Sequence, residues 1–553
     1  MKKITRILLL VGILVSGVSC NKFFDDMKPT SEVSDKVIWQ TATNAEYYVN
    51  YLYDYVYSVV TSQTYGNALT EAYTDMLKYS SFNAGHPGLF VSQMAYGAPY
   101  TERNFVNVYL GVWDSRYTGV RKCNGAISDL RAYGQMSVED KARIEAELKF
   151  TRAFLYFDLM KRYKDIILYD EDMTKYTKDK TISTEEEGWE FIYQDLLYAA
   201  NNLPERTASR GRADKGMAWA FMTRAMLYAQ RYEDVVTAAE EVAKLGYGLE
   251  ADYSNALMKT IYAGNNEAIL QWQFDRSANV THRFDYNYTP GGDFAIQGQK
   301  GGGLGTPTQE MVESYEKATG GFIDWTPWHS TTKQDPPYDK LEPRFHATIL
   351  YNGADWKGRK IQPYAGGLDG WKQWYNNTNP AGETTTGYYL RKMVDEGHDV
   401  VATPGGVAPF TIIRYAEVLL NKAEACYNLN KTAEANDAVA AIRNRVGLPY
   451  TPKGGSDLWT AIRQERKVEL AFEGHWYWDL RRWGVAHEQY PEGLTGYQVH
   501  GLKVTDSGDG SFTYEYVSVD NEDREFQERM YRLPMPDGEL ENNKLVEQYP
   551  EWK

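Results

Sequence analysis

Two well-separated stretches of this chain repeat one apolar spacing, and that repetition limits the fold more than any other feature. Gly216 to Leu245 reads GMAWAFMTRAMLYAQRYEDVVTAAEEVAKL, and Ala416 to Val446 reads AEVLLNKAEACYNLNKTAEANDAVAAIRNRV. Trp219, Thr223, Met226, Val235, Ala239 and Val242 in the first fall in register with Leu419, Ala423, Cys426, Ala435, Val439 and Ile442 in the second. Steps of four and three keep side chains on one helical face. The longer step between the third and fourth positions leaves room for a turn, so each stretch predicts two antiparallel helices. A lone hairpin of this kind cannot bury its apolar face, so such units stack.

The spacing is that of tetratricopeptide (TPR) key positions in degenerate form. Thr223 stands where a small apolar residue is usual, and no closing proline follows. Further units are expected near 105–165 and 185–245, without a legible signature. A separate helix begins at Ser137-Val138-Glu139-Asp140, a capping-box-like start. It carries Ala146, Phe150, Ala153, Phe157 and Met160 as one apolar stripe.

The N-terminus reads as an export signal. Met1 to Arg6 is basic, Ile7 to Val15 is apolar, and small residues lead to Cys20. The apolar run is far shorter than the roughly 20 residues that span a bilayer. Ser19-Cys20 fits the end of a lipobox, although Gly17 sits where leucine is usual. A cysteine there is expected to carry acyl chains, and more than one chain gives a stable anchor. Residues 21–34 read as a polar tether interrupted by Pro29. Cys123 and Cys426 both fall in helical patterns and are expected to be buried and unpaired. Net charge is −15, and the leader carries the basic residues Lys2, Lys3 and Arg6, so the exported chain is more acidic still. That balance argues against nucleic acid or anionic lipid as partner.

Between Ala278 and Pro409 the pattern changes to glycine, proline and aromatics. Gly291 to Gly305 is glycine-dense, and Trp325, Trp328, Trp356, Trp371 and Trp374 crowd together. Long irregular segments are functional or disordered, and aromatic content argues against disorder. Lys503 to Val519 alternates around Asp506-Ser507-Gly508-Asp509-Gly510 and predicts a small hairpin.

Several ordered segments resemble the SusD/RagB family of Bacteroidota outer-membrane nutrient-binding lipoproteins. They are Cys20-Asn21-Lys22-Phe23-Phe24-Asp25-Asp26, then ELKFTRAFLYFDLMKRYKDIIL from Glu147, and Gly211-Arg212-Ala213-Asp214-Lys215-Gly216. IRYAEVLL from Ile413, ERKVELAFEGHWYWDLRRWG from Glu465 and Tyr531-Arg532-Leu533-Pro534-Met535-Pro536 complete the set. The resemblance implies a lipid-anchored protein on the outer membrane, facing the cell exterior. It implies a SusC-like TonB-dependent transporter as partner and an extracellular oligosaccharide, or alternatively a peptide, as ligand. It also implies a TPR-like helical scaffold with the ligand surface built from the irregular part.

Catalytic signatures are missing. There is no His-Glu-x-x-His, Gly-x-Ser-x-Gly or Cys-x-x-Cys, and no histidine pair has metal-ligand spacing. Gly301 to Gly305 lacks the Lys-Ser/Thr of a phosphate loop and reads as a flexible loop. No metal, cofactor or catalytic residue is expected, and a surface glycosidase or a pure protein scaffold are the weaker readings. Glu465 faces apolar neighbours and reads as a structural ion-pair member, with Arg481 and Arg482 close by in sequence; His475 reads as packing.

Aromatic loops suit sugar, because Trp and Tyr offer a flat apolar face with a polar edge. The ligand candidates are Trp325 and Trp328 with Asp324, then Trp371, Trp374 and Tyr375 with Asp369, Gln373 and Asn376. An early loop, Tyr79 to Tyr100, adds Tyr96, with Asp75 just before it. Trp113 and Tyr117 lie in a helical pattern and read as core. The expected organisation is a signal peptide at 1–19, lipidated Cys20 and a tether to 34, and an N-terminal helical region at 35–275. A C-terminal region at 276–553 follows, with aromatic loops at 278–409 and TPR-like helices at 411–473. The fold class is mostly α, with a small β-hairpin.

Overall fold

The computed structural model describes residues 35–61, 69–79, 110–206, 211–372, 382–520 and 523–553. Its N-terminal part is built on helices α1 (Ala42–Thr61), α2 (Trp113–Tyr133), α3 (Val138–Tyr163), α4 (Glu185–Asn202), α5 (Lys215–Tyr228) and α6 (Tyr232–Lys244). In α1, Ala45, Val49, Leu52, Val56 and Val59 recur at helical spacing and are all buried. Ser137 caps α3, its hydroxyl accepting the Asp140 N–H at 3.0 Å. Helix α3 is the hub, with α1, α2 and α4 packed on it. Its stripe reaches α5 through Phe157, 5.2 Å from Phe221, and Phe154 beside it stacks on Phe221 at 4.0 Å. Trp113 is buried and Tyr117 packs beside it, as their helical pattern implies.

The second repeat forms α7 (Tyr415–Asn428) and α8 (Thr432–Arg445), followed by α9 (Gly455–Glu469) and α10 (Trp476–Arg482). The two repeated stretches are helical hairpins that touch, α7 packing on both α5 and α6. Thr223, the departure from the repeat pattern, sits at that contact. Its hydroxyl accepts the Asn421 amide at 3.0 Å and donates to the Ala220 carbonyl at 2.7 Å. A buried hydroxyl needs such partners, so the odd residue is explained by the seam. Cys123 and Cys426 are buried and free.

Strands are short and sit in separate pairs among the described residues. Besides a two-residue pair, Asp355–Trp356 with Arg359–Lys360, they are β1 (Leu77–Tyr79), β2 (Ala268–Trp272), β3 (Gly305–Pro307), β4 (Ile349–Leu350), β5 (Tyr389–Leu390), β6 (Phe410–Arg414), β7 (His500–Asp506) and β8 (Phe512–Ser518). Antiparallel β1–β3 sets Leu77 opposite Pro307 and Tyr79 opposite Gly305. Antiparallel β2–β6 joins the two halves just before α7. Strands β7 and β8 form the expected hairpin, from His500 opposite Ser518 to Asp506 opposite Phe512.

Behind β6 lies a buried ion network. Arg414 reaches Glu267 at 2.7 Å, Glu469 at 2.6 Å and Glu473 at 2.7 Å. Arg344 reaches Glu342 at 2.6 Å, Glu465 at 2.5 Å and Glu469 at 3.0 Å. Burial alone would raise Glu469, yet Arg445, Arg414 and Arg344 hold it well below the ordinary carboxylate range. Glu465 is therefore structural, as its apolar surroundings suggest, but its partners are Arg344 and Arg443. Arg482 pairs with Glu424 and Asp479 instead. His475 is buried, and burial with the nearby cations keeps it well below its ordinary value.

The glycine run at 301–305 is a correction to the sequence reading. It is buried rather than a free loop. Gly382, at φ +101°, passes so close that a Cβ there would lie 2.8 Å from the Gly291 Cα. The glycines let backbones lie directly against one another.

Candidate functional site

Four candidates, Cys20, Tyr96, Trp374 and Tyr375, lie outside the described residues, as do Gln373 and Asn376. The remainder sort by burial. Trp325 and Trp328 are 4% and 5% exposed. They meet edge to face at 5.5 Å, Trp325 approaches Tyr338 at 6.3 Å, and the Trp328 indole donates to the Gln334 carbonyl at 3.0 Å. Their rings meet protein rather than solvent, because the 3-10 turn Thr326–Trp328 folds them inward. Asp324 accepts the Thr326 N–H at 3.0 Å and organises that turn. Asp369 is also structural. It takes two hydrogen bonds from Arg359 at 2.8 Å, plus the Gly292 N–H at 3.0 Å and the Gln362 N–H at 2.8 Å.

Trp371 is different: it is only half-buried. It forms a parallel bridge to Thr384, with the Lys372 N–H donating to the Thr384 carbonyl at 2.9 Å. The Lys503 ammonium, projecting from β7, lies 5.3 Å from its ring centroid. Such a cation is attracted to the ring face. Its indole N–H is buried without a hydrogen-bond partner, as is Oε2 of Glu383, two residues beyond segment 373–381. Burial raises the Glu383 carboxyl, and Lys372 and Lys300 pull it back. Buried polar atoms normally find partners, so these two unpaired atoms set the Trp371 region apart from the closed environment of Asp369.

Asp75 is 6% exposed and paired to Lys467 at 2.7 Å through one oxygen; its other oxygen has no partner. Close by, Tyr490 stacks on Tyr497 at 4.6 Å, and the Tyr497 hydroxyl is also unpartnered. Burial raises both phenols, and the Asp75 charge adds to that. The β1–β3 pair sets Tyr79 against Gly305, so the early and middle segments of the chain meet there, while Asp75, at the other end of β1, accepts the Thr308 hydroxyl on its backbone carbonyl. A third cluster flanks the hairpin. His500 stacks on Tyr516 at 4.2 Å and meets Glu310 at 2.6 Å, while His329 approaches Tyr516 at 4.6 Å and meets Glu313 at 2.7 Å. Lys503, Glu383, Tyr490, Tyr497 and Tyr516 were not legible as site residues. They come from distant segments, and no local spacing links them.

Among the described residues no group of three or more His, Cys, Asp or Glu is placed to hold a metal ion, and no helix is long and apolar enough to cross a membrane.

Comparison with known proteins converges. Residues 266–552 match the family model described as "SusD family", and residues 22–227 match one described as "Starch-binding associating with outer membrane". SusD-like protein P2 of Formosa agariphila is 26% identical over 403 residues, covering 69% of this chain and 73% of that protein. A crystal structure of a SusD-like protein from Bacteroides fragilis aligns with TM-score 0.76 at 28% identity, covering 95% of this chain and all of that one. A SusD-like carbohydrate-binding protein from the same species aligns with TM-score 0.73 at 22% identity, covering 92% and 100%.

Proposed function

The chain belongs to the SusD family, and on that premise we propose that it is a non-catalytic surface lipoprotein that captures extracellular oligosaccharide. Cys20 is its lipid anchor in the outer membrane. Its partner is a SusC-like TonB-dependent transporter, to which it passes the glycan. One solved relative is described as carbohydrate-binding, and one matching family model is described as starch-binding and associated with the outer membrane.

The observation that carries the reading is Trp371. Its half-open ring under Lys503, with an unpaired indole N–H and the unpaired Glu383 oxygen, offers a sugar both an apolar face and a polar rim. Trp374, Tyr375, Tyr96 and Asp75 are assigned to ligand binding with it on the sequence reading alone.

The test is retardation of the purified chain in native gels containing soluble polysaccharides, run beside Trp371→Ala. Retardation by at least one glycan, lost in the variant and without shortened products on prolonged incubation, supports the reading. Retardation by none, with binding to a peptide mixture instead, would replace glycan by peptide; shortened products would make it a glycosidase.

A further inference from the structure

A cavity lies among α3, α4, α5 and α10. Its volume is about 860 Å³, inside the range of small-molecule sites. Its lining carries both signs of charge: Lys161 and Lys164 at the α3 end and Arg481 of α10, with Glu185 and Glu186 in the first turn of α4, beside Trp189 and Tyr228.

Two features single this cavity out. Trp478 and Arg481, which line it, are 1% and 6% exposed, and the Trp478 indole N–H and the Arg481 Nε–H have no hydrogen-bond partner. The Lys161 amine lies 4.4 Å from the Trp478 ring centroid. Several other cations along the lining are already paired, Lys161 lying 3.6 Å from Asp158. Arg482 is held by Glu424 and Asp479, and Arg231 by Glu190 at 2.6 Å and Asp234 at 2.6 Å. Arg481 itself keeps two weaker bonds, to the Tyr477 hydroxyl at 3.2 Å and the Tyr531 carbonyl at 3.1 Å. The second feature is backbone strain at the rim. Lys164 has φ 62° and ψ −58°, and the Asp165 N–H closes onto the Tyr163 carbonyl at 2.7 Å. That tight turn is rare for a residue with a Cβ, and such strain gathers where a side chain must be aimed.

We propose that this cavity binds a carboxylate-bearing sugar, its carboxylate against Arg481, Trp478 and Lys164, its hydroxyls toward Glu185 and Glu186. Unpaired donors call for an acceptor, the α4 carboxylates call for hydroxyl donors, and the two rings cover a flat apolar face. The site shares no residue with the Trp371 platform, so either can fail without the other.

Titration calorimetry on the full chain with glucuronate, glucose and acetate separates the possibilities. Glucuronate is expected to bind in about the millimolar range, with glucose and acetate at least tenfold weaker. Trp478→Phe keeps the ring and removes the N–H, and is expected to weaken glucuronate by about fivefold. Lys164→Gly removes a rim cation while relieving the turn. It is expected to melt no lower than the native chain and to bind about threefold more weakly. Trp371→Ala is expected to leave this affinity unchanged. No heat with glucuronate, equal affinity for glucose or acetate, or full affinity in Lys164→Gly overturns the proposal.

Discussion

The helical half and the loop half of this molecule solve one problem in opposite ways. In α3 and α5 the backbone hydrogen bonds to itself, so side chains are free to be apolar, and the core there is Phe150, Phe154, Phe157 and Phe221 in mutual ring contact. In the loops the backbone has few regular partners, and side chains supply them. The Tyr389 hydroxyl serves the carbonyls of Asp369 and Gly382 at 2.6 Å each and accepts the Thr384 N–H at 3.1 Å. Tyr388 donates to Gln309 at 2.5 Å and meets the Tyr338 hydroxyl at 2.9 Å. Buried threonines 384 and 386 bond to each other, and Thr386 bonds to Thr306. Much of the aromatic and polar excess is thus internal scaffolding. The comparison teaches that loop aromatics mark a ligand surface only where their faces stay open.

The sharpest way to break this contrast is at the joint between the halves. Arg414→Met removes the cation shared by Glu267, Glu469 and Glu473, leaving Arg344, Arg445 and Lys392 to balance them in the interior, and is expected to cost about 3–5 kcal/mol in urea unfolding. Loss of under about 1 kcal/mol would mean that the ion network does not hold the halves together. Phe221→Ala tests the apolar side. Opening a cavity against Phe150, Phe154 and Phe157 is expected to cost about 3–4 kcal/mol, independent of pH.

Acid–base behaviour should instead belong to the polar joint. Burial pushes Glu71 up to about 7, against the hydrogen bond from the Gly474 N–H at 2.6 Å. A carboxyl raised in the folded state stabilises fully below its unfolded value of 4.5, and that contribution is lost as pH rises through about 7. Glu71→Gln keeps an acceptor without the charge. It is expected to gain on the native chain by about 2 kcal/mol at pH 8 and by nothing near pH 5. An equal offset at both pH values would contradict the assignment. The smallest expected effect is local. Tyr389→Phe should cost about 1–2 kcal/mol, and it should speed amide exchange in 382–390 rather than in α3.

The same contrast explains what the sequence could disclose. Helices announce themselves through spacing, so the repeats, the Ser137 cap and the buried Cys426 were legible, and a two-residue period revealed the β7–β8 hairpin. Strands of three to five residues carry too little periodicity to name a partner, so β1–β3 and β2–β6 were invisible. Loop composition showed that tryptophans cluster, but not which way a ring faces. Trp325 and Trp371 look alike in sequence; only the inward turn at Thr326–Trp328 separates them. Lys503 and Glu383 join Trp371 through folding alone.

The central claim is that an open ring, not a buried one, meets the glycan. The direct test is to compare Trp371→Ala with Trp325→Ala, measuring polysaccharide affinity and thermal unfolding on each. Trp371→Ala is expected to lose at least about tenfold in affinity with an unchanged melting temperature. Trp325→Ala is expected to lose about 3 kcal/mol or more of stability and to bind normally below its melting temperature. Full affinity in Trp371→Ala, or selective loss of affinity in a stable Trp325→Ala, would contradict the account.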